Sequence, residues 1–211
     1  MTTKKEKQQG GWVYEYDKKY PCKYESATTG KVEITEITEV RYVLGEIFDS
    51  EKPKALVCIG INPSTAIPEC LDPTLNKVRK YAKENGYGAW YMLNIYPQRS
   101  TDPDGMDAGF NKEIHVKNIT HIQELMNRLP SADIWCAWGG SITKRDYLKT
   151  CLKDIADCIG YNNPSFNYVQ RVAVDGEDRQ HPVHPIASIK VKEKLEKFEE
   201  IEKYLKTNLK V

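Results

Sequence analysis

No stretch of the sequence is apolar for long enough to cross a bilayer, and the polar start from Met1 to Gln9 has no signal-peptide core. The expectation is a cytoplasmic protein with no membrane partner. A dominant charge is lacking as well: 31 lysines and arginines stand against 30 acidic residues, a formal net charge of +1. Proteins that live on duplex DNA usually show a basic face, because neutralising phosphates supplies most of their non-specific affinity. Global electrostatics give no such face here. Six cysteines (Cys22, Cys58, Cys70, Cys136, Cys151, Cys158) are scattered with no Cys-x-x-Cys, and two fall in expected core strands. They read as reduced, mostly structural thiols. Metal-ligand spacing is missing too. His181 and His184 are three apart in a proline-containing loop, while His115 and His121 lie six apart on an expected helix and so face different ways. No metal and no other cofactor is expected. Internal repeats and low-complexity segments are also absent.

What is present is an ordinary globular composition, 40% hydrophobic and 29% charged over 211 residues, enough for one domain with a full core. Residues 1–11 are polar and read as a flexible tail, leaving 12–211 as a single α/β/α domain. Its organising stretch is Ala55 to Ala66, where a continuous apolar run ends in the polar turn Asn62-Pro63-Ser64-Thr65. Such a run, bounded by Pro53 and by Asn-Pro-Ser, predicts a strand buried on both faces, as in a parallel sheet. Asp72-Pro73-Thr74 then opens a helix whose apolar face is Leu75, Val78, Tyr81 and Ala82.

Before that strand, Trp12 to Tyr16, Val32 to Thr38 and Arg41 to Leu44 alternate with period two, predicting a small antiparallel lead-in that forms an edge or flap. After it, Asn85-Gly86 stops the helix. Ala89 to Tyr96 reads as a second buried strand, followed by a long loop from Pro97 to about Gly109. Ile114 to Leu129 marks another helix, Asp133 to Trp138 a third strand ending in Gly139-Gly140-Ser141, and Tyr147 to Ile155 a further helix. Residues 157–172 predict one or two more strands. A polar loop, Asp175 to Pro185, precedes a C-terminal helix over 189–207 with the stripe Val191, Leu195, Phe198, Ile201 and Leu205.

Strands alternating with helices imply right-handed crossovers and a three-layer α/β/α sandwich around a mostly parallel sheet of four to five strands. Every crossover returns the chain to one direction, so the carboxyl ends of the strands share an edge. Asn62, Asn94, Trp138-Gly139 and the His181 loop should meet there, where ligands sit in open α/β sheets.

Asn62-Pro63-Ser64-Thr65-Ala66, Asp72-Pro73-Thr74, Asn94 ahead of Arg99 to Pro103, Asn111, Trp138-Gly139 and His181-Pro182 resemble, in order and spacing, the bacterial and phage family called domain of unknown function 1643. The resemblance runs from about Arg41 to His184. More distantly, Gly60-Ile61-Asn62-Pro63 resembles the first motif of the uracil-DNA glycosylase superfamily, in particular its mismatch-specific thymine/uracil branch, and His181-Pro182 resembles the second. That resemblance implies a glycosylase-like fold with both motifs at one edge of a four-stranded parallel sheet. It also implies hydrolysis of an N-glycosidic bond, which needs a placed water and donors for charge on the leaving base. Asn62 would then hold the water and His181 would bond the base, the two catalytic candidates, while Asn94 would read the edge of a flipped nucleotide. Ser64 stands where the mismatch-specific motif continues with Gly, and Val183 where the second motif continues with Ser. With Asp72, Arg99 and Asn111 having no counterpart there, these departures point to a different ligand, a free nucleotide or modified nucleoside. Arg99 suits its phosphate.

The candidate ligand-binding set is Pro63, Ser64, Thr65, Asp72, Asn94, Arg99, Asn111, Trp138 and Gly139. Several have a plainer reading beside them. Asp72 is a standard helix cap before Pro73. Asn94 and Asn111 are loop-bonding residues, and Trp138 packs. Gly139-Gly140-Ser141 could bind an anion through backbone amides but lacks the lysine of a phosphate-binding loop. The expected partner is a nucleobase, nucleotide or nucleic acid. The rival expectations are a non-catalytic binder of the same ligands, or an interaction partner in a phage or mobile-element system.

Overall fold

The computed structural model describes residues 4–7, 11–25, 32–160, 167–171, 180–186, 195–198 and 201–211. Among them the strands are β1 (Lys4–Lys7), β2 (Trp12–Glu25), β3 (Val32–Ile47), β4 (Ala55–Gly60), β5 (Ala89–Asn94), β6 (Asp133–Cys136), β7 (Asn167–Arg171) and β8 (Leu195–Lys197). The helices are α1 (Pro73–Glu84), α2 (Lys112–Asn127), α3 (Asp146–Ile159) and a short α4 (Ile201–Tyr204) that runs into a π turn over Leu205–Leu209.

All strands join one sheet in the order β1-β2-β3-β5-β4-β6-β7-β8. The middle four, β5-β4-β6-β7, are parallel. β4 and β5 are buried along their whole length, which is why their sequences are continuously apolar rather than alternating. Successive residues still point to opposite faces. Val57, Ile59, Tyr91, Leu93, Ile134 and Cys136 meet Ile114, Ile122 and Leu125 of α2 and Leu148, Leu152 and Ile155 of α3. Leu56, Cys58, Trp90, Met92 and Trp135 meet Leu75, Val78 and Ala82 of α1. The result is three layers, with α1 on one face and α2 and α3 on the other. Because β5 and β6 flank β4 on opposite sides, the chain leaves β4 and β6 in opposite directions, and a crevice opens between their carboxyl ends.

Three expectations need correction. The sheet has eight strands among the described residues, not four to five. The segment expected as a small lead-in or flap is a long antiparallel pair fused to the main sheet, since Leu44 to Ile47 of β3 pair with Met92 to Ala89 of β5. That pairing occupies a β5 edge that would otherwise expose unpaired amides and carbonyls. Even the polar start contributes, with Lys4–Lys7 paired to β2 where a frayed tail was expected.

The C-terminal helix is also different. Leu195–Lys197 is a strand antiparallel to β7, and the Phe198 amide donates to the Tyr168 carbonyl at 2.7 Å. Leu195, Phe198 and Ile201 carry helical spacing, yet a strand there pairs with an edge of β7 that a helix in its place would leave open. Residues 189–194, the start of that expected helix, and 172–179, which include the first five residues of the loop before it, lie outside the described residues.

Candidate functional site

At the carboxyl ends of β4 and β6 lies a cavity of about 350 Å³. Its base is formed by Gly60, Met92 and Arg41. One wall is the turn after β4 (Ile61, Asn62, Ser64) together with the start of α1 (Asp72 to Leu75), and the opposite wall is Trp138 and Ser141 after β6. Ser100 and Thr101 from the loop after β5, and His184 and Ile186, complete the rim.

Asn62 is fixed by its amide nitrogen, which donates to the Ser100 carbonyl at 2.9 Å and the Pro63 carbonyl at 3.3 Å. Its carbonyl oxygen is the atom left to meet a water or ligand. Ser64 donates to an oxygen of Asp72, and the other Asp72 oxygen accepts the Leu75 amide at 2.8 Å. Asp72 therefore caps α1 and lines the cavity at once, so both readings of it apply. Trp138 also lines the cavity although only 1% of it is exposed. Its indole N–H donates to the Tyr204 hydroxyl at 3.0 Å.

Arg41 is a cavity residue that the sequence reading did not select. It is 1% exposed. It donates through Nη1 to the Ala66 carbonyl at 3.0 Å and through Nη2 to Asn94 Oδ1 at 3.4 Å, and its Nε has no partner. Burial, then the charge of Arg99, lowers its pKa to about 10 against weaker opposing effects of Tyr14 and Asp72, so it stays a cation at neutral pH. Along its strand Arg41 shares a face with Glu39 and Val43, a local pattern that does not say the face is shut from solvent.

Several candidates sit elsewhere. Arg99 does not offer its fork to the cavity. It pairs with Glu39 and donates to the Ser64 carbonyl at 2.9 Å and the Ala66 carbonyl at 3.5 Å, so it clamps the turn from behind. Asn94 lies beneath the base, with Arg41 on its Oδ1 and the Asn118 amide on its backbone carbonyl at 2.8 Å. Asn111 caps α2, accepting from the Glu113 and Ile114 amides, away from the cavity. Thr65 is exposed off the rim, and Pro63 is buried and serves as an acceptor for the Ser100 amide.

His181 is displaced from its expected role by His184. The histidine on the cavity wall is His184, whose Nδ1 accepts from the Ile186 amide at 3.4 Å. His181 Nδ1 instead meets the Tyr204 hydroxyl at 2.8 Å, and burial lowers its pKa, favouring the neutral ring. Tyr204 Oη accepts a hydrogen bond from the Trp138 indole N–H, and its own O–H is satisfied by an acceptor Nδ1 on His181. Gly139 ties this segment to the rim: at φ +60° its amide donates to the Pro182 carbonyl at 2.8 Å. The His181 loop and the Asn62 turn thus reach the same edge, as the parallel topology requires.

Comparison with curated proteins returns no match, and comparison with solved structures returns none. With the turn at Asn62, the cap at Asp72 and the Trp138-Gly139 corner all inside its matched span of residues 41–186, the chain belongs to the family described as protein of unknown function, DUF1643.

Proposed function

We propose that the cavity takes a nucleobase, nucleoside or nucleotide, and that Asn62 positions the water that hydrolyses its N-glycosidic bond. One observation carries the reading: two carbonyls hold the Asn62 amide nitrogen, leaving its carbonyl oxygen to orient a water beside the ligand. The cavity is of a size that suits a small ligand, and Met92, Ile61 and Trp138 give it apolar wall against which a base can lie. The distant resemblance of Gly60-Ile61-Asn62-Pro63 to a glycosylase motif points the same way.

In the reaction the water oxygen bonds to the anomeric carbon and the C–N bond breaks, its electron pair leaving with the base. The water's proton ends on the base or in solvent. Asn62 is too weak a base to take it, so its contribution is orientation. The test is base release from uracil-, thymine- and modified-base DNA and from free nucleosides, followed by chromatography. Release from at least one substrate is expected, falling about a hundredfold or more in Asn62→Ala. No release from any of them overturns the catalytic part.

A second reading, a non-catalytic binder of the same ligands, is favoured by Asp72. Both of its oxygens accept hydrogen bonds, from Ser64 and from the Leu75 amide, so the fold alone accounts for this cavity carboxylate. Saturable binding without turnover would be its signature.

A further inference from the structure

A guanidinium shut away from water is normally matched by a carboxylate, because an unpaired buried charge costs several kcal/mol. Arg41 has no such match: its hydrogen bonds go to neutral acceptors, the Ala66 carbonyl and Asn94 Oδ1, and it makes no ion pair among the described residues. The neighbouring arginine is already neutralised, since Arg99 pairs with Glu39. Two buried donors are left over at the base of the cavity. One is Arg41 Nε and the other is Asn94 Nδ2, on a residue also 1% exposed. The Asn94 nitrogen lies 3.3 Å from where a side chain on Gly60 would begin, and Gly60 is a cavity residue. Met92 Cε lies 2.6 Å from the same point, so what covers that donor on the cavity side is the end of a flexible side chain. The first turn of α1, a helix of 12 residues, lines the same cavity at Thr74 and Leu75 and adds the positive pole of its aligned peptide dipoles.

We propose that this floor is a phosphate subsite: Arg41 and Asn94 donate to a phosphate oxygen of the ligand, and that phosphate is the hydrogen-bonded counter-charge that Arg41 lacks among the described residues. The subsite rests on the same cavity as the nucleotide reading and narrows it to phosphate-bearing ligands, whether a free mononucleotide or a phosphate of a single strand. Asp72 makes no hydrogen bond to Arg41: its oxygens serve Ser64 and Leu75, and its charge acts on Arg41 only as a weaker effect from a distance.

Inorganic phosphate at constant ionic strength, read by thermal unfolding and calorimetry, is the first probe. The wild-type melting temperature should rise saturably with phosphate. Asn94→Asp is close to isosteric and supplies Arg41 with an internal carboxylate, so it should fold, by circular dichroism, and lose the phosphate response. Arg41→Lys keeps the charge but lacks Nε, and should weaken phosphate binding about tenfold to a hundredfold, the worth of one charge-assisted hydrogen bond. No saturable rise in the wild type, or an undiminished response in Asn94→Asp, overturns the subsite. Should Asn94→Asp not fold, wild-type phosphate affinity in Arg41→Lys overturns it instead.

Uridine, uridine monophosphate and a short single-stranded oligonucleotide form the second arm. Tighter binding of the monophosphate than of the nucleoside supports a free nucleotide, and tighter binding of the oligonucleotide supports a strand. Nucleoside binding or turnover with no gain from phosphate overturns the subsite and leaves the nucleobase reading standing. Phosphate binding that needs Asn94 but gains nothing from an attached nucleoside does the reverse.

Discussion

His181 and His184 differ by three positions and have opposite fates. The hydroxyl of Tyr204, held by the Trp138 indole, claims the first, while the second stays on the cavity wall. Tyr204→Phe removes the shared partner of two side chains and leaves a buried indole N–H unbonded, for an expected loss of about 1–3 kcal/mol in urea unfolding. Thiols follow the same logic of surroundings. Burial raises the pKa of Cys58 and Cys136 and pushes Cys151 up to about 12, whereas Cys70 is exposed. An alkylating reagent at pH 8 should therefore modify Cys70 in the native protein, and Cys58, Cys136 and Cys151 only after denaturation, as mass spectrometry of tryptic peptides will show.

Two short motifs, each ending in a backbone requirement, hold the elements in place. Asp72 closes the amino end of α1, so Asp72→Ala should cost about 1 kcal/mol of stability in chemical denaturation, whereas Asp72→Asn, which can still accept from Leu75, should lose only part of it. Gly139 sits at φ +60°, where a Cβ is strained in open space or not. Gly139→Ala should cost about 1–2 kcal/mol by the same measurement and loosen the corner that receives Pro182.

At this scale much of the fold was legible. β4, β5 and β6 announce themselves as short apolar runs, and α1 as a capped stripe ended by Gly86 at φ +80°. The Leu195 region was not legible, because its helical spacing says nothing about the empty edge of β7 beside it. In the site, Asn62, Ser64, Asp72 and Trp138 could be found from the sequence because they directly follow strands or open a helix. Arg41 was missed for the converse reason: it arrives from an antiparallel strand whose place beside β5 is a long-range fact that local pattern does not carry.

The whole molecule is a parallel core with antiparallel wings, and the wing on the β5 side is tied to α1 by charge. Arg79 of α1 donates to both oxygens of Glu46, at 2.5 and 2.8 Å, with the Trp90 indole at 3.3 Å and Lys83 at 3.7 Å. Burial alone would raise the Glu46 pKa, but the Arg79 and Trp90 hydrogen bonds and the charges of Arg79 and Lys83 outweigh it, so the net shift is downward. A carboxylate whose folded pKa is depressed contributes stability that is complete above its unfolded value, about 4.3, and disappears as pH falls through the folded value. Melting temperatures of wild type and Glu46→Gln should therefore differ most near neutrality and converge below about pH 4.

Tyr204 stands beyond the span 41–186 that defines the family match, yet it is the side chain on which the Trp138 indole rests. The wall of the pocket is thus partly owned by the tail of the chain. A version trimmed at residue 186 would keep the whole matched span and still leave the Trp138 indole without its Tyr204 partner.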